Sequence, residues 1–527
     1  MKRCPLCQKT YDDNTLNFCL DDGEWLTESD DGPATAIMSD SGSRSSPQSG
    51  HFDSSGSVAM PRSIAVLPLA HLSSDPDDEY FCDGLAEELL NALSRVDGLK
   101  VAARTSSFSY KGKDAKVGEI GSALGVETVL EGSVRKSGDR LRITVQLINT
   151  SDGYHLWSER YDREMRHIFD VQDEITLAVV DALKVKLLGD DRSALLKKGT
   201  VNSEAFELYI RGRALWSRRR HEDFLKAIEY FEQAITLDPN YALAYSGLAD
   251  CYTFLAYFEA YAPAEMMPKA RAAIERAVEL DPELSETHAS LAAFHLFFEL
   301  DGHAGEMELR RAVAINPNSA VAHYWLCSVL AAKGKTSESI DEGRMALQLD
   351  PLSPIANSTL ARALCIAGQY EEAIELSKRN FEILPDFFFS HWVLGWAYFQ
   401  TGRLDEAIHH FRESTVKGGG HTLYGYLGAA LVKAGLTSEA RDLVNELDEQ
   451  SKQIYISPIA SAIIEASLGN MERGLDLLEE AWSIRSIYLM WANFDPIFDV
   501  FRQEPRFQTI AARIAKAGLY GRQSLSG

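Results

Sequence analysis

The chain has 527 residues, of which 45% are hydrophobic and 25% are charged, and its formal net charge is −24 at pH 7. This length predicts several domains, because a single hydrophobic core rarely grows beyond roughly 250–300 residues. The acidic balance argues against a general binder of nucleic acid or of anionic membranes, since both need clustered lysine and arginine.

The compartment follows from the apolar stretches and the cysteines. The N-terminus leads into polar residues rather than into the apolar core of a secretory signal. The most apolar stretches, such as residues 291–300, are about half the length of a membrane-spanning helix. The seven cysteines do not have the spacing of a disulfide framework. We therefore predict a protein without a membrane span that works in the cytoplasm.

Residues 1–28 form a short segment that carries three cysteines. Cys4 and Cys7 have the C-x₂-C spacing of a metal-binding turn, and Cys19 begins a second turn in which Asp22 stands at the fourth ligand position. The segment resembles the two knuckles of a short zinc ribbon. We predict a structural zinc ion here, because Zn²⁺ takes four ligands and accepts a carboxylate oxygen, and because so short a segment cannot bury a core of its own.

The fourth zinc ligand has alternatives. Asp21 lies next to the favoured aspartate, and His51 lies in the following segment. A vestigial segment without metal and a redox-active set of thiols are further possibilities. Residues 29–60 are rich in serine, glycine and aspartate with little to bury, which predicts a flexible linker.

Residues 62–188 predict a mixed α/β domain. The clearest strand has apolar residues at every second position, so that one face is buried and the other meets water. Helices are marked by apolar residues at helical spacing and by capping residues at their ends. In chain order the pattern predicts a strand at 63–70, a helix capped by Asp83 and ended by Gly98, a strand at 100–103, a helix at 117–125, strands at 128–136, 141–147 and 154–162, and a closing helix from Ile168 to Leu183.

This domain is similar to a known bacterial module. The phrases VLPL, LEGSVR and LWSERYDR resemble the TolB-type amino-terminal domain, also called the FlgO-like domain, which precedes helical repeats in many bacterial regulators. In such regulators the module usually follows a winged helix, a cyclase, a kinase or a membrane span. Here the cysteine-bearing segment and its linker stand in that place, so the resemblance implies no enzymatic or DNA-binding role by itself.

The C-terminal three-fifths of the chain contain a regular repeat, and its period of about 34 residues is typical of stacked helical pairs. Pro317, Pro351 and Pro385 recur at equal spacing. A glycine and, five positions later, a small residue recur at nearly the same period, which predicts two helices per unit with a left-handed glycine between them. The glycines are Gly334, Gly368, Gly402, Gly435 and Gly469, and the small residues are Ser339, Ala373, Ala407, Ala440 and Gly474.

The repeat resembles the tetratricopeptide (TPR) family. Ala227, Phe231, Ala234 and Pro239 reproduce its A-x₃-F-x₂-A-x₄-P signature, and residues 391–411 match a whole consensus unit. The resemblance implies an all-α superhelical solenoid over residues 200–520, with about eight helical pairs. It also implies a protein or peptide partner, although such solenoids bind many different partners.

The family's usual peptide groove is lined by the first helix of each pair. Its counterpart here is mostly aromatic, which predicts a partner segment that is apolar or contains proline. The alternative is that the two tryptophans of this set belong to the core between helices. The candidate groove residues are Tyr324, Arg362, Phe389, Trp392, Trp396 and Phe399.

The motifs of common enzymes are missing from the sequence. It contains neither a phosphate-binding loop of the G-x₄-G-K-[ST] type nor H-E-x-x-H or G-x-S-x-G. We therefore predict a non-enzymatic interaction scaffold or signalling adaptor whose oligomeric state the sequence does not determine. Two alternatives are a transcription-associated regulator whose zinc ribbon contacts nucleic acid or polymerase, and the detached regulatory half of a cyclase or kinase system.

Overall fold

The computed structural model describes residues 63–72, 77–138, 140–164, 167–183 and 199–519, together with three short strands near the N-terminus. The chain divides into two compact units, Met1–Ala59 and Met60–Gly527. In the first unit, a central strand pairs antiparallel with a strand on either side. These strands are β1 (Lys2–Arg3), β2 (Thr10–Tyr11) and β3 (Thr27–Glu28).

The second unit opens with an α/β domain, whose described residues form a mixed sheet and four helices. The strands are β4 (Ser63–Val66), β5 (Ala70–His71), β6 (Lys100–Val101), β7 (Thr128–Ser137), β8 (Arg140–Asn149) and β9 (His155–Glu164). The helices are α1 (Asp77–Ser94), α2 (Arg104–Phe108), α3 (Val117–Leu124) and α4 (Ile168–Ala182).

The sheet combines parallel and antiparallel pairing. Its order is β6-β4-β7-β8-β9, with β4 parallel to both of its neighbours and β7, β8 and β9 antiparallel in succession. Ser137 lies opposite Arg140 across the β7–β8 hairpin, and Gly138 in the turn has a φ of +58°. Pro68 lies between β4 and β5 and interrupts the strand, because proline has no backbone N–H to donate to a neighbouring strand.

Helices cover the sheet on both faces. Ile64 and Val66 face the larger core, which α1 and α4 complete, whereas Ala65 and Leu67 face a smaller core that α3 completes. The alternation of apolar residues predicted for β8 is confirmed, because its four apolar odd-numbered positions are buried. The core of this domain is therefore built from the side chains that the pattern assigned to it.

The start of α1 differs from the prediction. The helix begins at Asp77, so the predicted N-cap at Asp83 is wrong. Asp83 lies inside the helix, where its buried carboxylate accepts an ion-pair hydrogen bond from Lys111 at 2.6 Å. A carboxylate that binds a cation across the domain produces the same sequence signal as a capping residue. The short helix α2 was not predicted at all.

Residues 199–519 form a helical solenoid. Within this described range the helices make eight consecutive pairs, followed by two 3₁₀ turns and a last helix. The pairs are α5 (Ser203–Trp216) with α6 (His221–Leu237), α7 (Ala242–Tyr257) with α8 (Pro263–Leu280), α9 (Ser285–Phe294) with α10 (Gly302–Ile315), and α11 (Ala320–Ala332) with α12 (Thr336–Leu349). They continue as α13 (Pro354–Ile366) with α14 (Tyr370–Ile383), α15 (Phe388–Gln400) with α16 (Leu404–Val416), α17 (Leu423–Lys433) with α18 (Thr437–Ser451), and α19 (Ile459–Ser467) with α20 (Met471–Ser483). The 3₁₀ turns are Ile487–Trp491 and Pro496–Phe501, and the last helix is α21 (Pro505–Lys516).

The predicted glycine period is confirmed by the backbone. All five glycines adopt left-handed conformations with φ between +74° and +93°, and each lies between the two helices of a pair. The small residues five positions later are buried in the second helices. Gly395 shows how close the helices come, because a Cβ at this position would lie 2.7 Å from a ring carbon of Phe411.

Polar side chains connect the solenoid to the α/β domain. The Asn318 side chain donates to the carbonyl oxygens of Ser94 (2.8 Å) and Leu99 (2.9 Å) and accepts from the backbone N–H of Val101 (3.1 Å). Since all three groups lie on α1, on β6 or between them, one side chain fixes that edge of the domain against the repeats.

A second connection lies one repeat further on. The Asp350 carboxylate accepts hydrogen bonds from the backbone N–H of Ser106 (2.9 Å) and from its hydroxyl (2.5 Å). Leu352 donates its backbone N–H to the same hydroxyl oxygen at 2.8 Å. Burial raises the pKa of Asp350, and the bonds from Ser106 oppose that rise. The α/β domain and the solenoid therefore dock through matched polar groups at successive repeats.

Candidate functional site

The candidate groove residues lie on the first helices of three successive pairs, α11, α13 and α15. We call the surface formed by these first helices, together with Tyr426 of α17, the inner wall. Five of the six candidates are at most 8% exposed, and Phe389, Trp392 and Trp396 belong to the hydrophobic core of the solenoid, so these side chains are packed rather than open to a partner. The buried five are Tyr324, Arg362, Phe389, Trp392 and Trp396, and Phe399 is half-buried.

Aromatic rings of α15 stack along the inner wall. The ring centroids of Phe389 and Trp392 are 5.2 Å apart with nearly parallel planes, and those of Trp392 and Trp396 are 5.6 Å apart. Tyr426 of α17 meets Trp392 edge-on at 5.4 Å. Such contacts stabilise a wall beyond its buried area and offer flat apolar faces to whatever covers it.

Arg362 carries the positive charge of the inner wall. Its guanidinium lies 4.1 Å from the ring centroid of Trp491 and 5.7 Å from that of Phe389, and it donates to the hydroxyl of Ser328 at 2.8 Å. Among the described residues, Arg362 Nε and Trp392 Nε1 are buried without a hydrogen-bond partner. The wall therefore keeps two N–H donors that its present cover does not use.

A segment of the same chain, residues 487–501, contacts this wall at Arg362 and Tyr426, and we call it the cover. It is strongly apolar, and its tryptophan and three phenylalanines, Trp491, Phe494, Phe498 and Phe501, are at most 3% exposed. It contains the two 3₁₀ turns instead of a further repeat helix. The inner wall thus contacts a short irregular segment, which is the kind of ligand that a peptide-binding surface accepts.

Asp495 anchors this covering segment. Its carboxylate accepts a hydrogen bond from the Tyr426 hydroxyl of the wall and another from the backbone N–H of Ile497. Burial raises the pKa of Asp495 to about 6, while the bond from Tyr426 and the positive charge of Arg362 oppose that rise. The Asp495 carboxylate, which lies among apolar side chains, is therefore complementary to the Tyr426 hydroxyl and to the positive charge of Arg362.

Distant repeats also meet across the superhelix. Thr422, just before α17, donates its backbone N–H to Glu259 at 2.9 Å, and the rings of Phe258 and Phe388 are 6.1 Å apart. Glu259 has a left-handed φ of +58° that directs it to this contact. Further along, Gly302 donates its backbone N–H to a carbonyl at the end of α21. These contacts close the inner wall around its cover.

The histidines of the repeats make structural links. On several first helices, one side chain forms a hydrogen bond with the backbone carbonyl oxygen of the proline in the preceding loop. This bond connects the loop to the helix. The bonds are His288 to Pro282 (2.9 Å), His323 to Pro317 (3.0 Å) and Asn357 to Pro351 (3.2 Å). Glutamates of the following helices bond the other nitrogen of the two histidines. These imidazoles are therefore committed to packing rather than to chemistry.

His391 occupies the corresponding position of the next repeat but contacts another histidine instead of a glutamate. Its Nδ1 lies 3.1 Å from Nδ1 of His410, and Phe381 and Tyr398 stack against the His410 ring. Burial, together with the neighbouring histidines His391 and His409, lowers the pKa of His410 to about 4. Among the described residues there is no group of three or more His, Cys, Asp or Glu side chains arranged to hold a metal ion.

The predicted zinc ligands Cys4, Cys7, Cys19 and Asp22 lie outside the described residues, as does the predicted linker at 29–60. Within the described part of the chain, no helix is both long enough and apolar enough to cross a bilayer.

The covering segment is the functional element that the sequence did not assign. Its signal is the density of apolar residues after the last glycine of the repeat, in the stretch IYLMWANFDPIFDVF (487–501). This stretch contains no glycine, so the left-handed glycine of the repeat has no counterpart within it. Composition alone therefore indicates a buried segment that is not a further repeat.

Two family models match the chain. Residues 60–178 match the model described as the second domain of HilA/YgeH-like transcriptional regulators. Residues 208–253, 358–421 and 393–453 match the tetratricopeptide repeat model. The solenoid is therefore built from tetratricopeptide repeats, and the α/β domain is similar to a regulator domain. The TolB-type resemblance stays a prediction.

One curated relative is the protein named "Putative adenylate cyclase 3" of Rhizobium meliloti (strain 1021). It is 42% identical over 187 residues, which cover 36% of this chain and 32% of the relative. The chain thus matches about a third of that protein.

Several solved structures share helical repeats with this chain. YrrB, described as a TPR protein with an unusual peptide-binding site, is 22% identical, with 35% of this chain and 89% of that chain covered and a TM-score of 0.24. The Cut9–Hcn1 tetramer of the APC/C is 14% identical, with 66% and 63% covered and a TM-score of 0.41. TTC0263, a TPR protein of Thermus thermophilus, is 17% identical, with 40% and 98% covered and a TM-score of 0.31.

Proposed function

We propose that this chain is a non-enzymatic scaffold of a bacterial regulatory system and binds a partner protein through the inner wall of its TPR solenoid. The observation that carries the proposal is the cover of that wall. The wall already contacts a short apolar segment, residues 487–501, through the Arg362 guanidinium over the Trp491 ring and through the hydrogen bond from Tyr426 to Asp495. A partner that presents similar chemistry competes for the same surface.

The cover defines the chemistry of that partner. The Arg362 guanidinium lies 4.1 Å from the Trp491 ring centroid, and Asp495 accepts a hydrogen bond from Tyr426. A competing segment therefore carries an aromatic or large aliphatic residue and, a few residues away, a carboxylate. An occupant that also offers acceptors to Arg362 Nε and Trp392 Nε1 gains hydrogen bonds that the covering segment does not make.

Competition with the cover sets the apparent affinity. When the cover occupies the wall, an external segment can bind only to the fraction of molecules in which the cover is displaced. The apparent affinity for that segment is therefore the intrinsic affinity multiplied by this fraction. Trp491→Ala removes the main stacking contact of the cover and leaves the wall itself unchanged. The variant consequently captures more partner than the wild type.

The experiment is affinity capture from cells of the source organism, with the full chain as bait. Trp482→Ala is the matched control, because Trp482 is a half-buried tryptophan of α20 that packs against Arg513 rather than against the wall. We expect Trp491→Ala to enrich a protein that Trp482→Ala does not, and a synthetic peptide of residues 485–501 to release it. Equal capture by both variants, or no release by the peptide, contradicts the proposal.

A second candidate function is the regulatory half of a cyclase or kinase system. The 42% identity with part of a protein named as an adenylate cyclase favours it, and so does the regulator-domain match of residues 60–178. In this case the partner at the wall is a signalling enzyme. Incubation of the purified chain with ATP and Mg²⁺ or Mn²⁺ tests the non-enzymatic part, and production of cyclic AMP by the chain alone would refute it.

The third possibility is a transcription-associated role through the N-terminal segment. A structural zinc bound by Cys4, Cys7, Cys19 and Asp22 belongs to this part of the proposal and rests on the sequence. DNA titration at two salt concentrations separates the roles, since phosphate contacts weaken steeply with salt. We expect no salt-dependent binding by this acidic chain.

A further inference from the structure

Strand β9 forms an open edge of the sheet. It is the last strand in the order β6-β4-β7-β8-β9, and within the described ranges no strand pairs with its outer side. Its ten residues, His155–Glu164, are exposed apart from Trp157 and Tyr161. The outer side of a long exposed edge strand carries backbone N–H and C=O groups that can serve as a template for another strand.

The regular part of this edge begins at Trp157. The pairing of β8 with β9 shifts between Leu147 and Ile148, which leaves Leu156 as the extra residue of a bulge. From Trp157 to Glu164 the pairing with β8 is continuous. A bulge-free stretch of this length is long for an edge strand that natural proteins leave unprotected.

Charges alternate in sign along this regular part. The charged residues are Glu159, Arg160, Asp162, Arg163 and Glu164, on both sides of the buried Tyr161. Edge strands often carry charge to prevent pairing, and charges of one sign achieve this best. If β9 pairs with β9 of a second copy, an alternating pattern places like charges opposite each other in some pairing registers and opposite charges in others. The register therefore decides whether the two strands repel or attract each other.

Symmetry restricts those registers. Two copies of one strand pair antiparallel around a two-fold axis, and residues directly opposite each other point to the same face of the sheet. Because side chains alternate between faces, the axis must pass through a residue and not between two residues. Within the regular part, only one position of the two-fold axis places each charged residue near the axis opposite a residue of opposite charge in the second copy.

That choice is an axis through Tyr161. It places Arg160 opposite the partner's Asp162 and Glu159 opposite the partner's Arg163, and symmetry repeats both contacts. An axis through Glu159, Arg160 or Asp162 instead sets that charged residue against its own copy. An axis through the serine before Glu159 sets the neighbouring charges against uncharged residues.

We propose that β9 pairs with β9 of a second copy of this chain, antiparallel and centred on Tyr161, so that one sheet continues through both α/β domains. Contacts within the chain already hold the side chains in place. Asp162 accepts a hydrogen bond from Arg142 at 2.8 Å, and Arg163 donates to Glu174 of α4 at 3.0 Å. This dimer contact lies on the α/β domain and is separate from the inner wall of the solenoid.

The test exchanges charges in the full chain and measures mass by light scattering after size exclusion and by sedimentation. Arg160→Asp alone and Asp162→Arg alone each set like charges opposite each other twice per dimer, and each raises the dissociation constant about tenfold or more. The double variant carrying both changes restores dimer formation, and so does mixing the two single variants. Arg135→Asp on β7 is the matched control, because the residue is exposed on the same sheet but two strands from the edge.

The outcomes separate the alternatives clearly. Dimers of the wild type, of Arg135→Asp and of the double variant, together with weakened single variants that associate on mixing, support the proposal. A monomeric wild type overturns it, as does a dimer that neither single variant weakens. Circular dichroism and thermal melting of each variant confirm that loss of dimer is not loss of fold.

Discussion

Truncation of Asn318 tests how the α/β domain docks on the solenoid. The side chain makes three hydrogen bonds to backbone groups near the end of α1 and at the start of β6. Asn318→Ala removes all three and leaves two carbonyl oxygens and one N–H without this partner. Asn240→Ala is the matched control, because Asn240 also follows the proline of its repeat but its side chain is exposed.

The expected magnitude follows from the bonds. Each contributes about 1 kcal/mol net, so that three sum to about 3 kcal/mol. Asn318 is half-buried, and water can reach part of the vacated space, which reduces the expected loss to about 2 kcal/mol. A change of that size corresponds to about a thirtyfold increase in the population of the undocked state.

Hydrogen exchange gives the most local readout. The amide of Val101 donates to Asn318, so peptides that cover residues 94–103 report directly on docking. We expect exchange there to accelerate about thirtyfold in Asn318→Ala at unchanged solenoid protection. Equal exchange in Asn318→Ala and Asn240→Ala would refute the reasoning, because the bonds would then contribute nothing to docking.

Three further predictions concern packing, pH and metal. Gly395→Ala should lower the free energy of unfolding by about 1–3 kcal/mol in urea titrations, because its Cβ would press against a ring of the second helix. At Gly402 a Cβ would meet open space, so Gly402→Ala should lower the free energy of unfolding by about 1–2 kcal/mol only because of the φ of +79°. The pKa of His410 is about 4 in the fold against an ordinary value of 6.5, so the unfolded chain binds a proton first as the pH falls. The free energy of unfolding therefore falls by about 1–2 kcal/mol between pH 6.5 and pH 4, after allowance for the partial exposure of the imidazole. His410→Gln should flatten this decline. An unchanged dependence of unfolding free energy on pH in the variant would contradict the assignment to His410. Elemental analysis should find about one zinc per wild-type chain and much less in Cys19→Ser, and a metal-free wild type would end the zinc proposal.

The sequence indicated the solenoid because its constraints are local and repeated. A left-handed glycine and a small residue at each helix crossing recur once in every repeat unit, and every copy adds to the same signal. The strands of the α/β domain were also predictable, since alternation along β8 reflects one buried face. Asp83 shows where local reading fails, because its partner Lys111 lies far along the chain and is not visible in a capping pattern.

The state of the inner wall was not predictable for the same reason. Position within a repeat identified Arg362 as a wall residue, but its contact with Trp491 involves a segment that lies several repeats later in the chain. That segment has no repeat period, so nothing in the local pattern connects Trp491 to Arg362. Long-range packing of irregular segments leaves only a compositional trace.

The central claim is that the inner wall binds a short apolar segment. It is tested most directly by titrating a labelled peptide of residues 485–501 into the full chain carrying Trp491→Ala and following fluorescence anisotropy. Since loss of a buried tryptophan costs about 3 kcal/mol or more, the variant should bind the peptide about 100-fold more tightly than the wild type or Trp482→Ala. Equal affinity in all three proteins, or no binding to any, would contradict the claim.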